Sequence, residues 1–492
     1  MNVLMVASEA VPFAKTGGLA DVAGVLPKFL ARRGHDVRVV MPLYAKVDRT
    51  GLTLLDGPLG VPMGVIGELW CAVYEGRLPD SDVPIYFLEH EQYFGRPDLY
   101  NEADGTGFMD NDNRFVFLSR AALQLSKRLG FRPDVVHVND WHTAAIPVFL
   151  NTLYKDDPLL GQAASLLTLH NMEYQGRYYA GLMNVLDVGW EHFNFLELEF
   201  ADEVNLLKGG LYHATLINAV SPKYAEEIQT PRFGHGLDGV VRERARDLTG
   251  VLNGIDYAEW DPATDTLIPA NYSADDLAGK ALCKAALQRE LGLPVRADVP
   301  LIGIVSRLVH QKGVDILAEA LPRILALDVQ FVLLGTGEAW AHDLFPALSA
   351  AYPRKFACHI GYSNPLAHRI EAGADLYVMP SRFEPCGLNQ LYSLAYGTPP
   401  IVHAVGGLDD TVESFDELTG EGTGFKLYYL DANALFDTVG WAIHTWYNRK
   451  DAFTAMVRRG MTQRYSWEGS AEKYEVLYRE AVRRRVGRAH DR

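Results

Sequence analysis

The feature that most constrains this chain is an alternation, repeated in two series, of short Val-, Ile- and Leu-rich runs with longer stretches of helical period. Continuous apolar runs of strand length, separated by amphipathic helices, are the mark of a parallel sheet covered on both faces. The first series runs through Val3 to Ala7, Val37 to Met41, Ile85 to Leu88, Val135 to Val138, Ser165 to Leu169 and Leu216 to Val220. After Asn253-Gly254-Ile255-Asp256 it restarts with Leu301 to Val305, Phe331 to Leu334, Leu376 to Met379 and Pro400 to Val402. The pattern predicts an α/β fold of two Rossmann-like, doubly wound domains facing across a cleft, with ligands at the carboxyl ends of the strands. The boundaries read 1–252 and 253–470, followed by a helix over 471–492 whose Arg483-Arg484-Arg485 run reads as a solvated end.

A chain of 492 residues, 48% hydrophobic, can bury two such cores. Its net charge of −16 argues against nucleic-acid and anionic-membrane partners, which need clustered cations. Cys71, Cys283, Cys358 and Cys386 form no C-x-x-C pair, which speaks against a disulfide framework or a structural zinc site built on cysteine. No basic leader opens the sequence, and no apolar run approaches the ~18 to 20 residues of a membrane span. These features predict a cytoplasmic protein.

Three segments carry candidate chemistry. Lys15-Thr16-Gly17-Gly18 follows the first strand and opens a helix bearing Leu19, Val22, Leu26 and Phe29, with Gly34 beyond its end. Paired glycines admit close backbone approach, and helix-start amides favour an anion. Gly-Gly there also serves plain turn geometry, and Asp21 suits either the helix dipole or a ligand hydroxyl. Pro27 predicts a kink or a local break. In the second half, Arg307 and Lys312 stand five residues apart in a strand-to-helix loop, where a planar fork and a point charge can share one pyrophosphate; surface salt bridging is the plainer alternative, and the place at the carboxyl end of a strand raises the functional one. The third segment, Ser381 to Gln390, places Glu384 before a helix predicted to open at Gly387, where a carboxylate also suits an ordinary cap or dipole partner. Amides for phosphate and a carboxylate for hydroxyls would together hold a nucleotide sugar. Cys386 reads as a packing residue.

His137 to His142 and Leu169 to Gly176 each end a buried strand. The His137 and His142 spacing fits no zinc pattern, and Trp141 suits a sugar platform or a half-buried core position. Asp80-Ser81-Asp82 and Asp110-Asn111-Asp112 lie among turn formers and read as solvated turns. A pyrophosphate held by two cations and helix amides needs no metal, so neither metal nor cofactor is expected.

These motifs, with Val220-Ser221-Pro222, Asn253-Gly254-Ile255-Asp256, Glu384-Pro385-Cys386-Gly387-Leu388 and Gly406-Gly407-Leu408, resemble the bacterial branch of the glycogen/starch synthase family nearly end to end. That family comprises retaining glycosyltransferases of the GT-B fold. The resemblance implies transfer of glucose from ADP-glucose to the non-reducing end of an α-1,4-glucan (glycogen). It places Lys15, Arg307 and Lys312 on the diphosphate near Gly18, Gly387 and Leu388, and His170 and Glu384 on the donor glucose. His170, Arg307, Lys312 and Glu384 form the implied catalytic set. Asp21, Asn253 and Tyr362 would complete the ADP-glucose site, and Asp140 and Trp141 would face the acceptor. Asn389, Ser363 and Asp409 depart from the usual Thr, His and Ala, all near the nucleotide end. A nucleotide-sugar epimerase and a catalytically silent glucan binder remain alternatives. No G-x-G-x-x-G follows the first strand, which disfavours a dehydrogenase.

Overall fold

The computed structural model describes residues 1–102 and 105–490. The chain divides into two compact units, Met1–Val251 with Trp467–Arg492, and Leu252–Ser466.

The first unit is built on a ten-stranded sheet. Seven strands run parallel in the order Leu248–Gly250, Leu216–Ala219, Ala164–Leu169, Val135–Asn139, Asn2–Val6, Asp36–Pro42, Pro84–Glu89. Asn2–Val6 lies at the centre, pairing Val3 with Val37 on one side and Val135 on the other. Every residue of Val135–Asn139 and Ala164–Leu169 is buried, the expected state for strands covered on both faces. Beyond Pro84–Glu89 the sheet turns antiparallel through Glu68–Arg77, which pairs with Thr53–Leu54 and Leu59–Pro62. A second sheet joins Arg177–Tyr179, Glu203–Asn205 and Glu199–Phe200. Neither antiparallel part was visible as apolar runs, because these strands are short or only half-buried.

Helix Gly18–Arg32 runs unbroken through Pro27, correcting the predicted interruption. Proline forfeits one backbone hydrogen bond there, but Leu19, Val22, Leu26 and Leu30 bury the helix along its length. Phe29 is only partly buried and lies under the Arg32 guanidinium, so Leu30 takes its place in the core stripe.

The last helix, Trp467–His490, begins before Ala471 and packs into the first unit. Trp467, Tyr474 and Tyr478 are fully buried; the Tyr478 hydroxyl meets His137 Nδ1 at 2.8 Å, and Asn218 donates to Tyr474 at 3.0 Å. Of its arginine run Arg483 is solvated, its side chain 75% exposed, but the next two residues are engaged. Arg484 pairs with Asp247 and Glu480, while Arg485 donates to Asn151 and to the Leu150 and Gly161 carbonyls. Guanidinium forks satisfy loop carbonyls that the sheet leaves over.

The second unit holds a six-stranded, all-parallel sheet in the order Phe356–Ile360, Gln330–Gly337, Leu301–Leu308, Leu376–Met379, Pro400–His403, Phe425–Leu427. Its core joins Ile302, Ile304 and Phe331 to Leu317, Leu321 and Ile324 of helix Val314–Ala326 and to Leu435 and Val439. Among the described residues, no helix is long and apolar enough to cross a membrane.

Candidate active site

In the second unit, strand Leu301–Leu308 extends further than its apolar run and carries Arg307 on its last turn of pleat rather than in the loop beyond. Arg307 is exposed and its Nη2 donates to Gln311 Oε1 at 3.2 Å. Lys312 closes a short 3-10 turn, His310–Lys312, after which Gly313 adopts φ 66°. A Cβ at Gly313 would lie 1.9 Å from the Pro380 carbonyl oxygen, so both conformation and space demand glycine. That tight crossing brings Lys312 onto the neighbouring loop. Lys312 Nζ donates to Glu384 Oε2 at 2.6 Å, and Ser381 Oγ donates to the same oxygen at 2.9 Å. The pair is largely sheltered, with side chains 17% and 8% exposed.

The loop bearing Glu384 is tied down on every side. Arg382 grips Asp315 through two bonds of 2.7 Å and donates to the His310 carbonyl. Gln311 Nε2 donates to the Phe383 carbonyl at 3.3 Å, and Gly407 N–H to that of Glu384 at 3.0 Å. Glu384 is thus held by backbone and side chain together. The helix expected to open at Gly387 opens at Asn389, as Asn389–Ala395. Gly387 takes φ 73° and Leu388 stands at the cap, so the glycine makes the turn into the helix and is not its first residue. Asn389 donates to the Val305 carbonyl at 2.7 Å and to the Tyr377 hydroxyl at 2.9 Å, an anchor to the central strands. Asp409 pairs with Lys426 at 2.7 Å, and Ser363 caps helix Asn364–Gly373. Two of the departures from the family pattern therefore have local structural work, and Asn389 has the third. Tyr362 is 82% exposed beside Gly361. Asn253 is buried, and among the described residues its side-chain oxygen has no partner. Cys386 is buried, which pushes its thiol up to about 12, in keeping with packing rather than nucleophilic work.

In the first unit, Lys15 Nζ pairs with Asp21 at 2.8 Å, so the aspartate answers a side-chain cation and not only the helix start. Burial raises the Asp21 carboxyl above its ordinary range, and among the described residues its second oxygen is unpartnered. Gly17 and Gly18 have no described atom within 4 Å of where a Cβ would stand, and neither has positive φ. Packing and backbone geometry thus leave these two glycines unexplained. Beside them lies Glu9, which the sequence reading passed over. Its carboxylate accepts from the Thr16 amide and from Thr16 Oγ1, and burial raises it to about 7. Its place just past the first strand was the available signal.

Asp140 ends strand Val135–Asn139 at φ 54°. Its Oδ1 accepts from the His170 amide at 2.6 Å and from that of Asn171 at 3.4 Å, linking both histidine segments. Burial raises Asp140 to about 7 despite those bonds, with Glu9 adding repulsion. His170 is buried, its Nε2 3.0 Å from Asn139 Oδ1, and burial lowers it to about 3. It is neutral at pH 7. Trp141 is a buried residue and also lines a cavity of about 420 Å³ with Tyr174, Tyr178, Arg177 and His235. A Cβ on Gly176 would strike the Trp141 ring at 2.3 Å, so the glycine lets the 173–178 segment lie on the indole. The triplet at Asp110 is no solvated turn: Asn111 and Asp112 are buried at the start of helix Asn111–Arg128, and Asp110 pairs with Arg96. Asp80 does turn, at φ 54°.

The starch synthase catalytic domain family matches residues 2–243, and the glycosyl transferases group 1 family matches residues 299–444. The chain belongs to the glycogen/starch synthase family. It is 64% identical over 489 residues to glycogen synthase 1 of Geobacter sulfurreducens, covering 99% of this chain and 97% of that protein. Glycogen synthase of Anaeromyxobacter sp. (strain Fw109-5) is 50% identical over 483 residues, covering 97% and 99%. Among solved structures, the catalytic domain of starch synthase IV from Arabidopsis thaliana, bound to ADP and acarbose, superimposes with a TM-score of 0.89 at 32% identity, covering 98% of this chain and 99% of that one. The fold is GT-B, and neither the epimerase nor the silent binder is favoured by these relatives.

Proposed function

We propose that the chain transfers glucose from ADP-glucose to the non-reducing end of an α-1,4-glucan, with retention at the anomeric carbon, in the cytoplasm. The observation that carries this reading is the 64% identity to a glycogen synthase over 99% of the chain. Local geometry supports the residue roles. Arg307 and Lys312 act on the donor diphosphate, where departure of ADP builds negative charge. Fixed cations stabilise that charge more in the transition state than in the ground state. Lys15 acts on the same donor, and Gly17 and Gly18, unneeded for packing, suit close approach of its phosphates. Gly387, Leu388, Asn253, Asp21 and Tyr362 complete the donor site, Tyr362 offering an exposed ring to the base.

His170, neutral at pH 7, and Glu384 take hydroxyls of the donor glucose, while Asp140 and Trp141 serve the acceptor. Glu384 already spends one oxygen on Lys312 and Ser381. A retaining double displacement wants two carboxylates about 5 Å apart, and Glu384 is the one carboxylate nominated for the donor glucose, which favours attack by the acceptor on the face the nucleotide leaves, without a covalent sugar. No metal enters this scheme, since cations of the chain meet the diphosphate.

ADP release from ADP-glucose, measured with and without glycogen and repeated with UDP-glucose, tests the proposal. Release should require glycogen and be faster from ADP-glucose. Release independent of glycogen, or none at all, would refute it.

A further inference from the structure

His192, Glu197 and His213 are absent from the machinery above, yet their ligating atoms all lie within 4.8 Å of one another. His192 ends the 3-10 turn Trp190–His192, Glu197 lies in the segment that follows it, and His213 is the last residue of helix Leu206–His213. His192 Nδ1 lies 2.6 Å from Glu197 Oε2, and His213 Nε2 lies 2.9 Å from the same oxygen. One carboxylate oxygen is therefore the meeting point of two imidazoles from separate elements.

We infer that His192, Glu197 and His213 form a binding site for a borderline divalent transition metal, with zinc as the best match, that fastens the 190–197 segment to helix Leu206–His213. Two imidazole nitrogens and one carboxylate are a zinc donor set, with a fourth position left for water. Calcium and magnesium, which want oxygen cages, are disfavoured. Zinc bonds of ~2.0–2.1 Å set tetrahedral ligands roughly 3.3 Å apart, so the two short contacts need open only slightly. His192, with 23% of its side chain exposed, leaves a path for the ion and its water.

Outer partners already orient the carboxylate. Asn194 Nδ2 donates to Glu197 Oε1 at 3.1 Å, and Asn194 Oδ1 accepts from the Glu197 amide at 3.2 Å, which leaves Oε2 for the ion. Binding displaces the imidazole protons now shared with Oε2. His213 then carries its proton on Nδ1 and gives up the 3.4 Å contact to the Asn151 amide nitrogen, the longest bond in the cluster. The segment has reason to be fastened: Trp190, Phe195 and Leu196 are 52%, 80% and 53% exposed, so it buries little apolar surface of its own. Lys208, donating to the Phe195 and Glu199 carbonyls, and Trp190, donating to Asn184 at 3.0 Å, hold it by hydrogen bonds at its two ends.

The test uses the untagged, chelator-stripped full chain, titrated with CoCl2 and ZnCl2. Cobalt should give visible d–d absorption of a low-coordinate nitrogen and oxygen site at one ion per chain, displaced by zinc, and zinc should slow proteolytic cutting in the 190–197 segment. His192→Ala, His213→Ala and Glu197→Gln should each weaken binding at least tenfold while glycogen-dependent ADP release persists. Should His213→Ala fail to fold, as circular dichroism would show, His192→Ala on the more exposed segment decides. No cobalt spectrum, or a stoichiometric one unchanged in His192→Ala, would overturn the assignment.

Discussion

Lys312→Ala separates charge chemistry from stability, because the structure ties both to one bond. Lys312 Nζ and Glu384 Oε2 are 2.6 Å apart with side chains 17% and 8% exposed. Exposed pairs are worth about 0.2–1 kcal/mol, while breaking a buried one costs about 3–5 kcal/mol, largely from the charge left behind. Here Ser381 still donates to the orphaned carboxylate and some water can reach it, so a loss of about 2 kcal/mol is expected. Adding Glu384→Gln removes the orphan charge, and the double variant should regain roughly half of that loss in urea unfolding. Activity should not follow. Removing one preorganised group that meets developing charge costs ~10²–10³ in kcat, and the double variant should be no faster than Lys312→Ala. The pair of readouts makes the reasoning vulnerable at two points. A double variant no more stable than the single would refute the buried-charge argument, and a wild-type kcat in Lys312→Ala would remove Lys312 from the transfer step.

Two further outcomes follow from the first unit. Burial raises the folded pKa of Glu9 from 4.5 to about 7, so the folded state holds a proton that the unfolded chain has lost, and stability falls as pH rises through that window. At ~1.4 kcal/mol per pH unit this amounts to roughly 3 kcal/mol, and Glu9→Gln should gain on wild type by about that much between pH 4.5 and 8 in denaturant unfolding; a pH-independent difference would exclude the buried carboxyl as its source. Gly176→Ala would drive a methyl into the Trp141 ring from a position at φ 63°. If Trp141 serves the acceptor, KM for glycogen should rise at least severalfold with KM for ADP-glucose little changed, and equal changes in both would point to general unfolding instead.

Parallel strands were legible where both faces are buried, since Val135–Asn139 and Ala164–Leu169 write their burial as Val- and Leu-rich runs interrupted by the buried His137, Asn139, Ser165 and Thr168. The antiparallel edge Glu68–Arg77 mixes buried Cys71, Val73 and Gly76 with half-buried and exposed positions beside short partners, and single-chain periodicity cannot say whether such a segment pairs at all. The site divides along the same line. Lys15, Arg307, Lys312 and Glu384 were nominated because cations and a carboxylate stand at or just beyond the carboxyl ends of predicted strands, where ligands of such sheets sit. Their partners did not. Glu9 is hidden by following an apolar run, and Gln311, Ser381 and Arg382 gain meaning only when Gly313 brings two loops into contact, with Pro380 set against the place a side chain would fill. Position along a chain reveals which groups can do chemistry; the groups that aim them are chosen by crossings between distant segments. If Glu384 and Lys312 serve transfer as proposed, altering Gln311 or Arg382 should lower it through the placement of that pair, and the loss would show as reduced glycogen-dependent ADP release.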